Sequence, residues 1–360
     1  MRTSVLLSRG DAPSEVVDAE LDDPRPDEVV VRIEAVGVCH TDLVIRQRLG
    51  DRPAVLGHEG CGVVERLGSG VDGSADGLAV GDRVVISFAS CGDCGQCRAG
   101  QPAYCASAAA LTSSGRRRDG SPTIRVAGEA VFGSFFSQSS FATAALAPAR
   151  SCVRVGDLPP EVAAPLGCGF LTGAGAVLNV LRPGPGARLL VVGGGGVGAA
   201  AALTALSERV EVVVVEPIAA RRDLAARFGA ATAASLDDPL PAVTHALDTT
   251  GRPEVIARAL GLLEPRGTLA VVGLGPAEAT IDVRNVMLRG LTLRGCVEGD
   301  AEPSALIPEL ALRHRQGRLP LDQLVATYPL AEFDRAVADQ RAGRVLKPVL
   351  LPRPAPAGRP

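Results

Sequence analysis

Arg188-Leu-Leu-Val-Val-Gly-Gly-Gly-Gly-Val-Gly198, running straight into Ala199-Ala-Ala-Ala-Leu203, decides the fold class. The apolar run before the glycines reads as a buried strand, the glycines as a tight turn, and the alanine-rich run as a helix. Gly193, Gly195, Gly196, Val197 and Gly198 give the spacing G-x-G-x-x-G. Such glycines let the backbone approach a pyrophosphate closely, and the helix N-terminus stabilises its charge. An ordinary glycine-rich turn is the competing reading. Context disfavours it, because Glu216 ends the next apolar run where an acidic residue meets the adenosine ribose hydroxyls. A carboxylate there also repels a 2′-phosphate, so the cofactor is read as NAD, with Arg221 and Arg222 as the nearby groups that would favour NADP. The apolar stretch Leu189–Leu206 is long enough to suggest a membrane span, but the glycines that interrupt it make strand-turn-helix the better account.

Working outward, alanine-rich stretches alternate with short valine-rich runs from about Pro165, the texture of βαβ units and a parallel sheet. Strands are expected at Arg188–Val192, Val210–Val215, His245–Asp248, Thr268–Gly273 and Thr292–Gly295. Leu224 and Phe228 mark a helix face that ends at Gly229. The first third is β-rich instead, with a half-buried strand from Val29 to Ala35 (Val31, Ile33 and Ala35 inward, Arg32 and Glu34 outward). Further strands are expected at Gly62–Glu65 and Arg83–Ile86. Ser107–Gly128 is read as a loop whose Arg116-Arg117-Arg118 faces water, and Pro352–Pro360 as a frayed end.

Composition bounds the function. At 360 residues, with 46% hydrophobic and 21% charged, the chain has room for two domains and a sizeable core. A net charge of −3 and a pI of about 5.9 argue against a nucleic-acid surface. Only Val5-Leu6-Leu7 precedes Ser8, too little for a secretory signal, and nine cysteines cannot all pair. A cytoplasmic, reducing setting is expected. Lys347 is the single lysine among 37 Lys and Arg.

Four of the cysteines, Cys91, Cys94, Cys97 and Cys105, fall in the pattern C-x2-C-x2-C-x7-C. Four thiolates at such short spacing complete the closed tetrahedral shell of structural zinc. Iron–sulfur ligation is the alternative for four cysteines. For Cys61, Cys152 and Cys296 the reading is a small buried hydrophobe.

This cluster, the Gly193–Gly198 turn, Gly37-Val-Cys39-His40-Thr41-Asp42 and Gly57-His58-Glu59-Gly60 occur in the order found in the zinc-dependent medium-chain alcohol dehydrogenases, which the chain resembles over most of its length. The resemblance implies a GroES-like β-rich catalytic domain at 1–165 and a Rossmann doubly wound parallel-sheet domain at 166–299. The chain then returns to the catalytic domain at 300–360. It implies two zinc ions, the structural one and a catalytic one held by Cys39, His58 and Cys168. Two thiolates and an imidazole leave such an ion formally neutral and one position open. Asp42 is then the partner of His58, Glu59 sits behind the metal, and Thr41 relays the alcohol proton. His40 and Lys347 are placed by resemblance near the pyrophosphate, Arg252 beside the adenine, and the backbone from Val272 to Leu274 at the carboxamide. His245 and His314 lack ligand spacing.

By the same resemblance the activity is reversible oxidation of an alcohol to an aldehyde or ketone by NAD. Phe135-Phe-Ser-Gln-Ser-Ser-Phe141 and Thr172-Gly-Ala-Gly-Ala-Val-Leu-Asn-Val180 are similar to the aryl (benzyl) alcohol branch, which implies a primary aromatic or allylic substrate. The long segment after the cysteine cluster resembles the dimeric longer-chain branch and Thr292–Gly295 its dimerising edge, which implies a homodimer. Phe88, Phe135 and Phe141 are the candidate pocket aromatics. Thiol-dependent formaldehyde oxidation and reduction of an activated C=C or C=N bond are the neighbouring alternatives. A zinc-ribbon binding module is the alternative of a different class. One departure stands out: where liver-type members carry a proton-relaying histidine five positions after the first zinc-ligand cysteine, this chain has Val44.

Overall fold

The computed structural model describes residues 1–71 and 77–352. The chain forms two compact units, one of residues 1–168, 302–312 and 325–360, the other of residues 169–301 and 313–324.

In the second unit the strand Arg188–Val192 lies inside a six-stranded sheet. Its spatial order is Ala231–Ala233, Glu211–Val215, Arg188–Val192, Val243–Asp248, Leu263–Val271, Thr292–Gly295, and every neighbouring pair is parallel. Parallel strands are covered on both faces, and the two-residue alternation is visible in which core each side chain joins. Leu189, Val191, Val212 and Val214 pack with Ala201 and Ala205 of the helix Gly196–Ser207 on one face. Leu190, Val192, Val213 and Val215 pack with Ile256, Ala259 and Leu260 of the helix Pro253–Leu262 on the other. This is why the strands read as unbroken apolar runs. The order of connection reverses at Arg188–Val192, the switch point where open α/β sheets bind ligands beyond the carboxyl ends of their strands.

The first unit is built on a sheet in the order Val325–Pro329, Lys347–Leu351, Glu28–Gly37, Gly60–Leu67, Arg83–Ile86, Cys152–Arg154, with Ala144–Pro148 also paired to Glu28–Gly37. The last strand returns late in the chain, Val349 opposite Gly37 and Leu350 opposite Val36, and so closes a unit that is discontinuous in sequence. A second sheet holds Arg2–Leu7, Glu15–Leu21, Ile124–Val126 and Glu129–Ala130. The strand Glu28–Gly37 is buried more fully than simple alternation predicts. Val29, Val31 and Ile33 enter one core while Val30 enters the other, between this sheet and the second.

Three expectations need adjusting. Residues 313–324 group with the second unit, where Arg313 and Arg318 both donate to Glu208, so the final segment is not one continuous return. The stretch Ser107–Gly128 is not a plain loop: it holds the helix Ala108–Ser113 and ends in a hairpin turned by Ala127 and Gly128, at φ +50° and +82°. Arg117 does not face water; it is 8% exposed. Its guanidinium donates to both carboxylate oxygens of Glu28 at 2.8 Å, to Asp22 and to the carbonyls of Asp23 and Pro122. The expected frayed tail, beyond Pro352, lies outside the described residues. No single helix among the described residues is long and apolar enough to cross a membrane.

Candidate functional site

Cys39 ends the turn that follows the strand Glu28–Gly37 and stands at the N-terminus of the helix His40–Leu49. Asp42, in the first turn of that helix, accepts the Cys39 backbone N–H at 2.9 Å and the Gly57 N–H at 3.1 Å. Its Oδ1 also lies 2.9 Å from His58 Nδ1. One buried carboxylate thus caps the helix, fixes the His58 loop and accepts from Nδ1, which leaves Nε2 as the nitrogen directed at a ligand. His58 Nε2 is buried and has no hydrogen-bond partner. The nearest ligating atoms of Cys39, His58, Glu59 and Cys168 all lie within 4.8 Å of one another. Contact with Cys168 holds the Cys39 thiol well below its usual range, with burial opposing and His58 assisting. Burial opposes a charged His58, yet Asp42 and Cys39 together raise its pKa well above the ordinary value. Two soft sulfurs, one orphaned imidazole nitrogen and stabilised thiolate charge are the donor set that zinc takes.

Glu59 lies behind these atoms, fully buried, and Lys347 meets it there. Its ammonium is 2.6 Å from each Glu59 carboxylate oxygen and donates to the Val38 carbonyl at 3.0 Å. Burial pushes the Glu59 carboxyl up to about 7 against the pull of Lys347, and Lys347 is itself raised, burial opposing the charge of Glu59. The seat admits nothing larger than glycine at Gly37, where a Cβ would stand 1.9 Å from Glu59 Oε2. Lys347 therefore has a role that the sequence did not disclose, as the counter-charge of Glu59. It is brought there by the late strand Lys347–Leu351.

Thr41 Oγ1 is 3.7 Å from Cys39 Sγ and half-buried, whereas His40 is exposed. The pocket aromatics named from sequence are buried: Phe135 and Phe141 are 0% and 1% exposed and Phe88 is 6% exposed. The aromatic beside the site is Phe136, half-buried, its ring stacked on His58 at 4.5 Å. Sequence reasoning passed over it because adjacent phenylalanines carry no sign of which one faces inward.

Cys91, Cys94, Cys97 and Cys105 form a second cluster with sulfurs within 4.8 Å of one another, Cys91 and Cys97 at 4.0 Å. Tetrahedral zinc thiolates stand about 3.8 Å apart, so the cage is close to its metal-bound dimensions. Backbone N–H groups of Ala106 and Cys97 point at Cys94 Sγ and lower its pKa to about 6, favouring the ligating thiolate. All nine cysteines are free of disulfides.

In the second unit Gly193 has φ +97°, and a Cβ at Gly198 would meet the Gly193 carbonyl oxygen at 1.9 Å, so the turn demands glycine at both positions. Gly195 caps the helix Gly196–Ser207, with Val197 in its first turn. Glu216 lies beside this turn, 3% exposed, its Oε2 accepting the Gly194 N–H at 2.7 Å and its Oε1 the Ile218 N–H at 2.9 Å. Arg221 is 3.7 Å from Glu216, and Arg222 donates to the carbonyls of Glu216 and Pro217. Arg252 is exposed and paired with Glu254, Leu274 is exposed, and the Val272 N–H donates to the Asp248 carbonyl at 2.9 Å. Asp248, fully buried, was missed from sequence. Its carboxylate takes the N–H groups of Thr250 and Gly251 and the Thr250 hydroxyl, shaping the turn before Arg252.

Comparison with known proteins agrees with this geometry. Residues 25–157 match the alcohol dehydrogenase GroES-like domain, and residues 196–312 match the zinc-binding dehydrogenase family. A geraniol dehydrogenase from Castellaniella defragrans is 42% identical, covering 97% of both chains. A crystal structure of an alcohol dehydrogenase zinc-binding domain protein from Burkholderia ambifaria superposes with TM-score 0.92 at 40% identity, over 98% of this chain and 100% of that one. That of benzyl alcohol dehydrogenase from Acinetobacter calcoaceticus gives 0.91 at 36% identity, over 98% and 99%. With both cysteine-bearing clusters, the two domain types and near full-length likeness in place, the chain belongs to the zinc-dependent medium-chain alcohol dehydrogenases.

Proposed function

We propose that this enzyme oxidises a primary aromatic or allylic alcohol to its aldehyde, reversibly, with NAD as the hydride acceptor. The observation that carries the reading is the convergence of Cys39, Cys168 and the unpartnered Nε2 of His58 on one point in the first unit. When bound, zinc there supplies the Lewis acidity that makes an alcohol hydroxyl more acidic, and NAD supplies the hydride-accepting ring. The protein's own groups do the rest. Cys39, His58 and Cys168 hold the metal, and Asp42 keeps His58 in the ligating tautomer. Thr41, whose hydroxyl lies 3.7 Å from Cys39 Sγ, takes the alcohol proton in this reading. The geraniol and benzyl alcohol dehydrogenases to which the chain is similar support an allylic or aromatic substrate. Screening benzyl alcohol, geraniol and saturated primary alcohols with NAD tests this assignment. Higher kcat/KM for the first two is expected, and exclusive use of saturated alcohols contradicts it.

The NAD assignment rests on Glu216, whose buried carboxylate stands beside the glycine turn. Glu216→Gln keeps an acceptor for the Gly194 N–H and removes the charge, so discrimination against NADP should relax by about tenfold or more. Wild-type kcat/KM for NADP equal to or above that for NAD contradicts it.

We also place two copies in a homodimer. The strand Thr292–Gly295 is an exposed sheet edge that carries exposed Leu293 and is flanked by exposed Val283, Met287, Leu288 and Val297, an apolar rim of the kind that self-association covers. Cysteines that form no disulfide suit a reducing cytoplasm.

A further inference from the structure

Phe136 adopts φ +50°, ψ +31°, and Ser137 and Ser139 follow at φ +56° and +49°. A bulky L-residue rarely enters this left-handed region, and glycine would enter it without steric penalty. The segment is nevertheless built without glycine and held by its neighbours. Gln138 donates to the carbonyl oxygens of His58 at 3.0 Å and Ile86 at 3.4 Å, and accepts the Gly60 N–H at 3.2 Å. Ser139 Oγ donates to the Val55 carbonyl at 2.6 Å and accepts the Phe135 N–H at 2.8 Å, while Ser137 donates to the Leu111 carbonyl. Gln138 thus ties this turn to the two peptides that flank Glu59, directly after His58. Backbone strain held in place by surrounding bonds points to a use for the residue that bears it.

The use is visible in the rings. Asp42 holds one edge of the His58 imidazole through Nδ1, and contacts on the ring faces restrain its remaining tilt. Phe136 lies on the imidazole face with centroids 4.5 Å apart and planes inclined by 23°. Phe135 meets the same imidazole edge-on at 5.3 Å and 88°. Phe136 packs against the edge of the core that buries Phe135 and Phe141, meeting Phe135 at 4.9 Å and 78°, but is itself half-buried, so its ring lies between that core and the imidazole.

We propose that Phe136 is a positioning residue of the metal site: the left-handed turn at 136–139 presents its ring to the face of His58 and fixes the plane in which Nε2 points. The proposal rests on the reading of Cys39, His58 and Cys168 as metal ligands. Groups that orient a ligating histidine typically change metal affinity by about 10- to 100-fold when removed.

The test uses full-length zinc enzyme with Phe136→Leu, Phe136→Met and Phe136→Tyr, comparing metal content, chelator competition and the visible spectrum after cobalt substitution. Loss of the ring in the leucine or methionine variant should weaken one of the two ions about tenfold and shift its cobalt bands, leaving the ion of the four-cysteine cluster unchanged. Tyrosine should restore wild-type affinity and spectrum. Methionine serves as the unbranched replacement should leucine fail to fold. Unchanged affinity and spectrum in the ring-less variants, or equal perturbation by tyrosine, overturns the proposal. A wild-type enzyme that holds only the ion of the cysteine cluster instead refutes the underlying ligand reading.

Discussion

Asp42 carries three duties with two oxygens, and each follows from its position in the first turn of a helix that starts at Cys39. The neighbouring residue with a missing duty is Val44. It is half-buried and cannot carry a proton, so Thr41 has no side-chain base at that position to receive what it relays. Proton release should therefore be slow and responsive to external buffer, because a positioned base typically contributes about 10²–10⁴-fold. Pre-steady-state oxidation by Val44→His should be faster than wild type and lose its response to small-molecule bases; identical rates under all buffers contradict this. At this scale the four-cysteine cluster was legible from its short spacings, whereas Cys39, His58 and Cys168, far apart in sequence, were singled out only through family resemblance. The roles of Lys347 and Phe136 were not legible: Glu59 meets Lys347 across 288 positions, and the choice of Phe136 over Phe135 is made by backbone angles.

The elements follow their patterns where one physical demand dominates. Arg188–Val192 and Glu211–Val215 are buried on both faces and show it as unbroken apolar runs. Where side-chain bonding overrides local preference, reading from sequence failed, and Arg117 is the clearest case. A run of three arginines predicts a solvated face, but the middle one is folded under, bidentate to Glu28, and pins the segment before the hairpin strand Ile124–Val126. Breaking such a buried pair leaves a carboxylate uncompensated, so Arg117→Met should cost about 3 kcal/mol or more in denaturant unfolding. Arg118→Met, at an exposed position, should stay within about 0.5 kcal/mol. Equal effects of the two substitutions contradict the clasp.

For the whole molecule, five of the six parallel strands and the glycine turn were readable because period and turn chemistry agree along a contiguous stretch, whereas the three-residue edge strand Ala231–Ala233 is too short to show a pattern. The discontinuous first unit was not readable from texture, since the pairing of Lys347–Leu351 with Glu28–Gly37 is decided by the fold and only family resemblance anticipated it. Assembly is open to direct test: Leu288→Glu with Leu293→Asp places charge on the exposed rim and should yield monomers in sedimentation, whereas an unchanged dimer removes this edge from the interface. The central claim is that one chain holds two zinc ions in different roles, one closed in the cysteine cluster and one at Cys39, His58 and Cys168. Metal analysis of wild type beside Cys168→Ala, with turnover measured on the same samples, tests it most directly. The account predicts two ions per wild-type chain, one per variant chain, and loss of turnover with the missing ion. Two ions and full activity in the variant would contradict it.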